Sequence, residues 1–69
     1  MKSYCGYIKD ITPIKDGCMF TLVCYGYSVV VAAGADLVMG LEEFENYTIT
    51  GCEDETGVIN AESIELFNL

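Results

Sequence analysis

The chain has no histidine, no tryptophan and no arginine, one proline, and no lysine beyond Lys15. Each absence closes a route. Without histidine the commonest general base and metal ligand is missing, and no glycine-rich phosphate loop or nucleophile paired with a base takes its place. A cysteine nucleophile needs an electropositive neighbourhood to form its thiolate, and positive charge is scarce here. The chain is therefore not expected to be an enzyme or to carry a metal or other cofactor. No apolar run approaches the roughly 18 to 20 residues of a membrane span. The opening Met1-Lys2-Ser3-Tyr4-Cys5-Gly6 lacks an apolar stretch of signal-peptide length and moves straight into a strand-like pattern. A cytoplasmic protein without a membrane partner is the expectation.

What is present is acid and apolar surface. Eleven aspartates and glutamates face three lysines, for a formal net charge of −8. Affinity for nucleic acid depends largely on lysine and arginine neutralising phosphates, so the chain as a whole repels a polyanion. The same charge keeps a strongly apolar small domain dispersed. At 69 residues, 52% of them hydrophobic, the chain is one domain over residues 1–69, with no repeat or linker. That is near the lower limit for an unaided core, and a homodimer would help stabilise it.

Four cysteines, Cys5, Cys18, Cys24 and Cys52, invite a disulfide or zinc reading. No export signal favours the first. The closest pair, Cys18 and Cys24, has five residues between, wider than the usual zinc-ligand spacing. Both fall in step with Phe20 and Leu22, as small core hydrophobes would. Free structural thiols are the reading, with disulfide and metal as alternatives.

Alternation then lays out strands. Tyr4, Gly6 and Ile8 share one parity and Ile11 the other, which predicts a bulge near Lys9-Asp10. The loop Thr12–Gly17 ends on Asp-Gly, a strong turn pair. Cys18–Tyr25 reads as the second strand, Gly26 as a reversal, and Tyr27–Ala32, with its valines, as the third. Between Ala33 and Glu45 the period changes: Asp36 can cap, and Leu37, Leu41 and Phe44 fall at i, i+4 and i+7. A short helix is predicted there, weakened by Gly34 and Gly40 and by Glu42 and Glu43 at the wrong end of its dipole. The stretch Asn46–Leu66 closes the chain as two strands. Tyr47 and Ile49 face one side, Gly51 marks a bend or close approach, and Glu53–Gly57 is an acidic turn. The return strand slips parity between Ile59/Ala61 and Ile64/Leu66, which requires a second bulge near Glu62-Ser63.

Taken together, Tyr4–Ile11, Phe20-Thr21-Leu22, the valine strand, Tyr47-x-Ile49-x-Gly51 and Gly57-x-Ile59-x-Ala61-x-x-Ile64-x-Leu66 resemble an OB-fold. The pattern covers nearly the whole chain and is similar to OB domains of the tRNA-anticodon and helicase type. The resemblance implies an all-β, five-stranded Greek-key barrel with a short helix between strands 3 and 4. It implies a binding module for single-stranded nucleic acid, or a member of a nucleic-acid-processing complex.

Such domains bind through strands 2 and 3 and the loops joining strands 1–2 and 4–5. Carried onto this chain, that surface is Lys15 in the first loop, Met19, Thr21, Val23 and Tyr25 on strand 2, and Tyr27 on strand 3. Beside Tyr27 stand either Ser28 and Val30 or Val29 and Val31; the all-apolar run leaves the parity open. Tyr25 and Tyr27 could stack bases, or merely cover the barrel wall. Against strand binding, the second loop is Glu53-Asp54-Glu55, a negative tip where phosphates would pass. Carboxylates so clustered could hold a hard cation, but adjacent acids on a turn are more often solvated. The alternative function is an acidic protein-interaction module. In it the apolar patch of Met19, Val23 and Tyr25 meets a protein partner, or Glu53, Asp54 and Glu55 mimic nucleic acid toward a basic one.

Overall fold

The computed structural model describes residues 1–67. Five strands make up its regular structure: β1 (Lys2–Ile14), β2 (Gly17–Val23), β3 (Ser28–Gly34), β4 (Asn46–Glu53) and β5 (Val58–Leu66). They close into a barrel in the order β1-β2-β3-β5-β4. Every pairing is antiparallel except β3 with β5, which run parallel through Val30↔Val58, Val31↔Ile59 and Ala32↔Asn60. This closed five-stranded β-barrel is compatible with an OB-fold. Among the described residues no helix is long and apolar enough to cross a membrane.

Alternation makes the core. The inward parity of each strand contributes Tyr4 and Ile8, Phe20 and Leu22, Val31, Tyr47 and Ile49, and Ile59. Ile8, Leu22, Val31 and Ile49 are wholly excluded from solvent, and burying a side chain of that size contributes about 1.5–3 kcal/mol. Cys18 belongs to the buried set and Cys24 packs against it, whereas Cys5 and Cys52 are exposed; all four are free thiols. Burial raises the pKa of the Cys18 and Cys24 thiols, which keeps them protonated.

Both expected bulges are present. In β1 the register with β2 slips between Lys9 and Thr12, placing Asp10 and Ile11 opposite Phe20 alone. Asp10 takes the left-handed conformation at φ 57°, and Ile11 turns back to pack on the core. In β5 the partners of Thr50 and Gly51 are Ser63 and Ala61, so Glu62 is the extra residue. The slip returns Ile64 to the core, but Leu66, expected beside it, is the last residue of β5, opposite Tyr47, and is 53% exposed. Two glycines permit closure. A side chain at Gly6 would strike the Val23 carbonyl where β1 passes from β4 to β2, and one at Gly51 would strike the Asn60 carbonyl at the β5 bulge.

The helix expected between β3 and β4 is absent. Residues 35–45 form isolated turns, with Leu37 N–H on the Gly34 carbonyl at 3.0 Å and Leu41 N–H on the Val38 carbonyl at 3.3 Å. Gly40 (φ 80°) and Phe44 (φ 69°) are left-handed, which no α-helix accommodates. The physical reason is competition. A helix this short has a costly nucleus and two unfavourable glycines, while the barrel offers the segment ready partners. Phe44 N–H donates to the Ile8 carbonyl at 2.6 Å, Ile8 N–H to the Glu45 carbonyl at 3.3 Å, and Glu42 N–H to the Tyr47 hydroxyl at 3.0 Å. Of the three residues read as one helical face, only Leu41 packs on the core.

Candidate binding surfaces

The outer face of β2 and β3 is built by the parity opposite to the core. Met19, Thr21 and Val23 point outward from β2, each half-buried by its neighbours. On β3 the buried residues are Val31 and Ala33, so Ser28, Val30 and Ala32 share the outer face. This resolves the parity that the run of valines concealed. The register stacks these residues in rows: Val23 opposite Ser28, Thr21 opposite Val30, Met19 opposite Ala32. Val58 and Asn60 extend the rows on β5, and Tyr7 and Lys9 extend them on β1. Lys9 is the one charged residue in that set.

Tyr25 and Tyr27 do not lie on this face. β2 ends at Val23, and Cys24 N–H closes the reversal on the Tyr27 carbonyl at 2.8 Å, with Gly26 left-handed at φ 83°. The two tyrosines therefore stand on the turn beyond the face, Tyr25 fully exposed and Tyr27 55% exposed. Lys15 lies at the opposite end of β2, in the β1–β2 loop. There it borders a cleft of about 270 Å3 together with Ile14, Asp16, Ala33 and Asn60. The residues read from the sequence as one surface thus divide into three places: a face, a turn and a loop.

The acidic turn has internal structure. Asp54 is its pin: Oδ1 accepts from Thr56 N–H at 2.8 Å, Thr56 Oγ1 at 2.6 Å and Val58 N–H at 3.1 Å, and Oδ2 from Asn60 Nδ2 at 3.4 Å. The Thr56 bonds, with those from Val58 and Asn60, hold the Asp54 carboxyl below its ordinary pKa. Gly57, at φ 89°, lets the chain reverse beneath it. Glu53 and Glu55 face solvent. The three acids therefore do not converge, and among the described residues no group of three or more histidine, cysteine or acidic side chains is arranged to hold a metal ion.

A larger groove, about 490 Å3, opens where β1 crosses from β4 to β2. Its walls are Cys5, Gly6 and Tyr7 on one side, Val23, Cys24 and Tyr25 on the other, with Asn46 and Phe67 at one end. Tyr7 also meets Phe44, ring centroids 6.3 Å apart and planes inclined by 47°. Phe44 is 66% exposed between Glu43 and Glu45, and Glu43 Oε2 accepts from the Asp10 N–H of the β1 bulge at 3.3 Å. The sequence reading named two of its lining residues, Val23 and Tyr25, as candidate binding residues on strand 2, and gave the β1 wall of the groove no role. Tyr7 had a signal, since it opposes the parity of Tyr4 and Ile8; Phe44 had none, because its spacing matched a helix that does not form.

No family model, no curated protein and no solved structure matches the chain.

Proposed function

We propose that this chain is a non-catalytic binding module that works by contact with a basic protein. The observation that supports this reading is the separation of charge on the surface. The outer rows of β2 and β3 carry Met19, Thr21, Val23, Ser28, Val30 and Ala32 without a charged residue, while acid gathers in the β3–β4 segment at Glu42, Glu43 and Glu45 and in the β4–β5 turn at Glu53, Asp54 and Glu55. An uncharged, partly apolar face on a chain of net charge −8 suits a protein partner of opposite charge. It lacks the lysine and arginine that would neutralise a phosphate backbone. Glu53 and Glu55, free of the turn's own hydrogen bonds, would meet that partner's cations. The resemblance to nucleic-acid-binding OB domains bears on the partner: a basic protein of a nucleic-acid-processing complex fits both the pattern and the charge.

A second reading, direct binding of single strands, has its own support in Tyr25 and Tyr27, whose exposure leaves their rings free to stack on bases. Fluorescence anisotropy separates the two. Labelled single-stranded DNA and RNA are titrated with the protein at low and at physiological salt. No saturable binding at either salt is expected. Saturable binding that weakens with salt and is lost in Tyr25→Ala or Tyr27→Ala would instead establish the strand-binding reading.

A further inference from the structure

Strand β1 is longer than the sheet that covers it. Toward β4 it pairs from Lys2 to Tyr7, but toward β2 only from Tyr7 onward, because β2 turns away after Val23. In an antiparallel ladder alternate residues aim both backbone polar groups at one neighbour. Ile8 aims at the β4 side, where it bonds Glu45 and Phe44, so Gly6, Tyr4 and Lys2 aim there too. Ser3 and Cys5 must aim the other way. Their side chains agree, since residues not bonded to each other across a ladder bring their side chains closest. Ser3 Oγ lies 3.0 Å from Thr50 Oγ1, and Cys5 Sγ lies 3.4 Å from Thr48 Oγ1. Among the described residues, the N–H and C=O groups of Ser3 and Cys5 therefore find no backbone partner along the strand's open edge, which runs from Ser3 into the groove formed by Cys5, Tyr7, Val23, Cys24 and Tyr25.

We propose that this edge and groove take an extended, basic segment of a partner protein, added as a strand beside β1 in the place that β2 vacates. This deepens the protein-binding reading above and rests on it. The open edge supplies main-chain partners, and the groove between Tyr7, Val23 and Tyr25 receives every second side chain of the incoming strand. Charge identifies the occupant. The groove ends at Asn46, which directly follows Glu42, Glu43 and Glu45. Phe44, packed on Tyr7, presents an exposed ring on which an arginine can lie, flanked by those carboxylates. A second copy of this chain would bring a net charge of −8 to the same acidic border, so self-pairing is opposed.

The test is amide-shift mapping on the intact, isotope-labelled protein. The probes are an octapeptide alternating arginine with valine, its counterpart with glutamate for arginine, and a single-stranded oligonucleotide. The arginine peptide should shift Ser3, Cys5, Tyr7 and Phe44 and slow hydrogen exchange at the Ser3 and Cys5 amides; the glutamate peptide should do neither. Ser3→Pro removes an edge donor that β4 does not use and should weaken the peptide about tenfold. It also loses the Ser3–Thr50 hydroxyl contact, so Ser3→Ala, which loses that contact and keeps the amide, should melt like Ser3→Pro and bind the peptide like wild type. Phe44→Gly suits the left-handed backbone and should weaken it about threefold. Shifts confined to the outer face of β2 and β3 would overturn the groove while leaving the protein-binding reading standing. Edge amides unmoved at millimolar peptide, already protected by self-association, or moved by the oligonucleotide alone would each overturn it as well. The last would overturn the protein-binding reading too.

Discussion

The β4–β5 turn and the β3–β4 segment are both acidic connections, yet they are held by opposite means. The turn Glu53–Gly57 is organised from within: one carboxylate, Asp54, gathers the amides and hydroxyl of its own loop. The segment 35–45 is organised from without. Beyond single-turn bonds such as Leu41 N–H to the Val38 carbonyl, its bonds run to Asp16 of the β1–β2 loop, to Ile8 of β1 and to the Tyr47 hydroxyl of β4, and its one anchor in the core is Leu41. A locally closed turn tolerates charge because its remaining acids point to water. A segment tied to the barrel is presented by the barrel, and so Phe44 can be held out at an unfavourable φ. Non-glycine residues in that region persist only where surrounding contacts outweigh the strain.

The comparison can be broken at either connection. Leu41→Ala should have the largest effect, lowering stability by about 1–2 kcal/mol, because the side chain is half-buried and a fully buried leucine costs more. Urea unfolding reads the loss. Amide shifts should report it across residues 35–45, while the β4–β5 turn is undisturbed. Tyr47→Phe comes next. It leaves the Glu42 N–H without its acceptor and should cost about 0.5–1.5 kcal/mol, with faster hydrogen exchange at Glu42.

Asp54→Asn tests the turn. The wild-type carboxyl has a folded pKa below its ordinary value. Its charge therefore stabilises the fold in full above the unfolded pKa, and that contribution is lost as pH falls through the lower folded value. Melting temperatures of wild type and variant should differ at neutral pH and converge on acidification below the ordinary carboxylate range. Equal melting at both pH values would remove Asp54 as the pin. The smallest effect is expected for Glu53→Lys with Glu55→Lys, within about 0.5 kcal/mol of wild-type stability because both side chains face solvent. The same double variant should abolish capture of a basic partner through that turn. If it melts far from wild type, those acids have a structural role that the hydrogen bonds do not explain.

Much of the barrel was legible because a half-buried strand writes its orientation into its parity. Tyr4, Gly6 and Ile8 with Ile11 out of step state both a strand and its bulge, and Ile59, Ala61 and Ile64 do the same at the other end. The valine strand was silent: with Val29 to Ala33 all apolar, no polar residue marks the outer side. The candidate surface was less legible. Met19, Thr21 and Val23 face outward as their alternation implies, but Tyr25 extends that alternation past the point where β2 stops. Strand ends depend on where a turn closes, and that is set by Gly26 and the Cys24–Tyr27 bond.

From its sequence alone this chain is determined to be strand-rich, bulged at two named places, acidic, and without histidine or arginine. These follow from composition and from a period of two, which need no knowledge of neighbours. The tertiary structure alone decided that residues 35–45 are not helical and that the valines turn Val31 inward. It also decided that β1 overruns β2 and leaves the backbone of Ser3 and Cys5 without a strand partner on that side among the described residues. Each of these depends on which distant backbone groups are within reach, and barrel closure sets that distance.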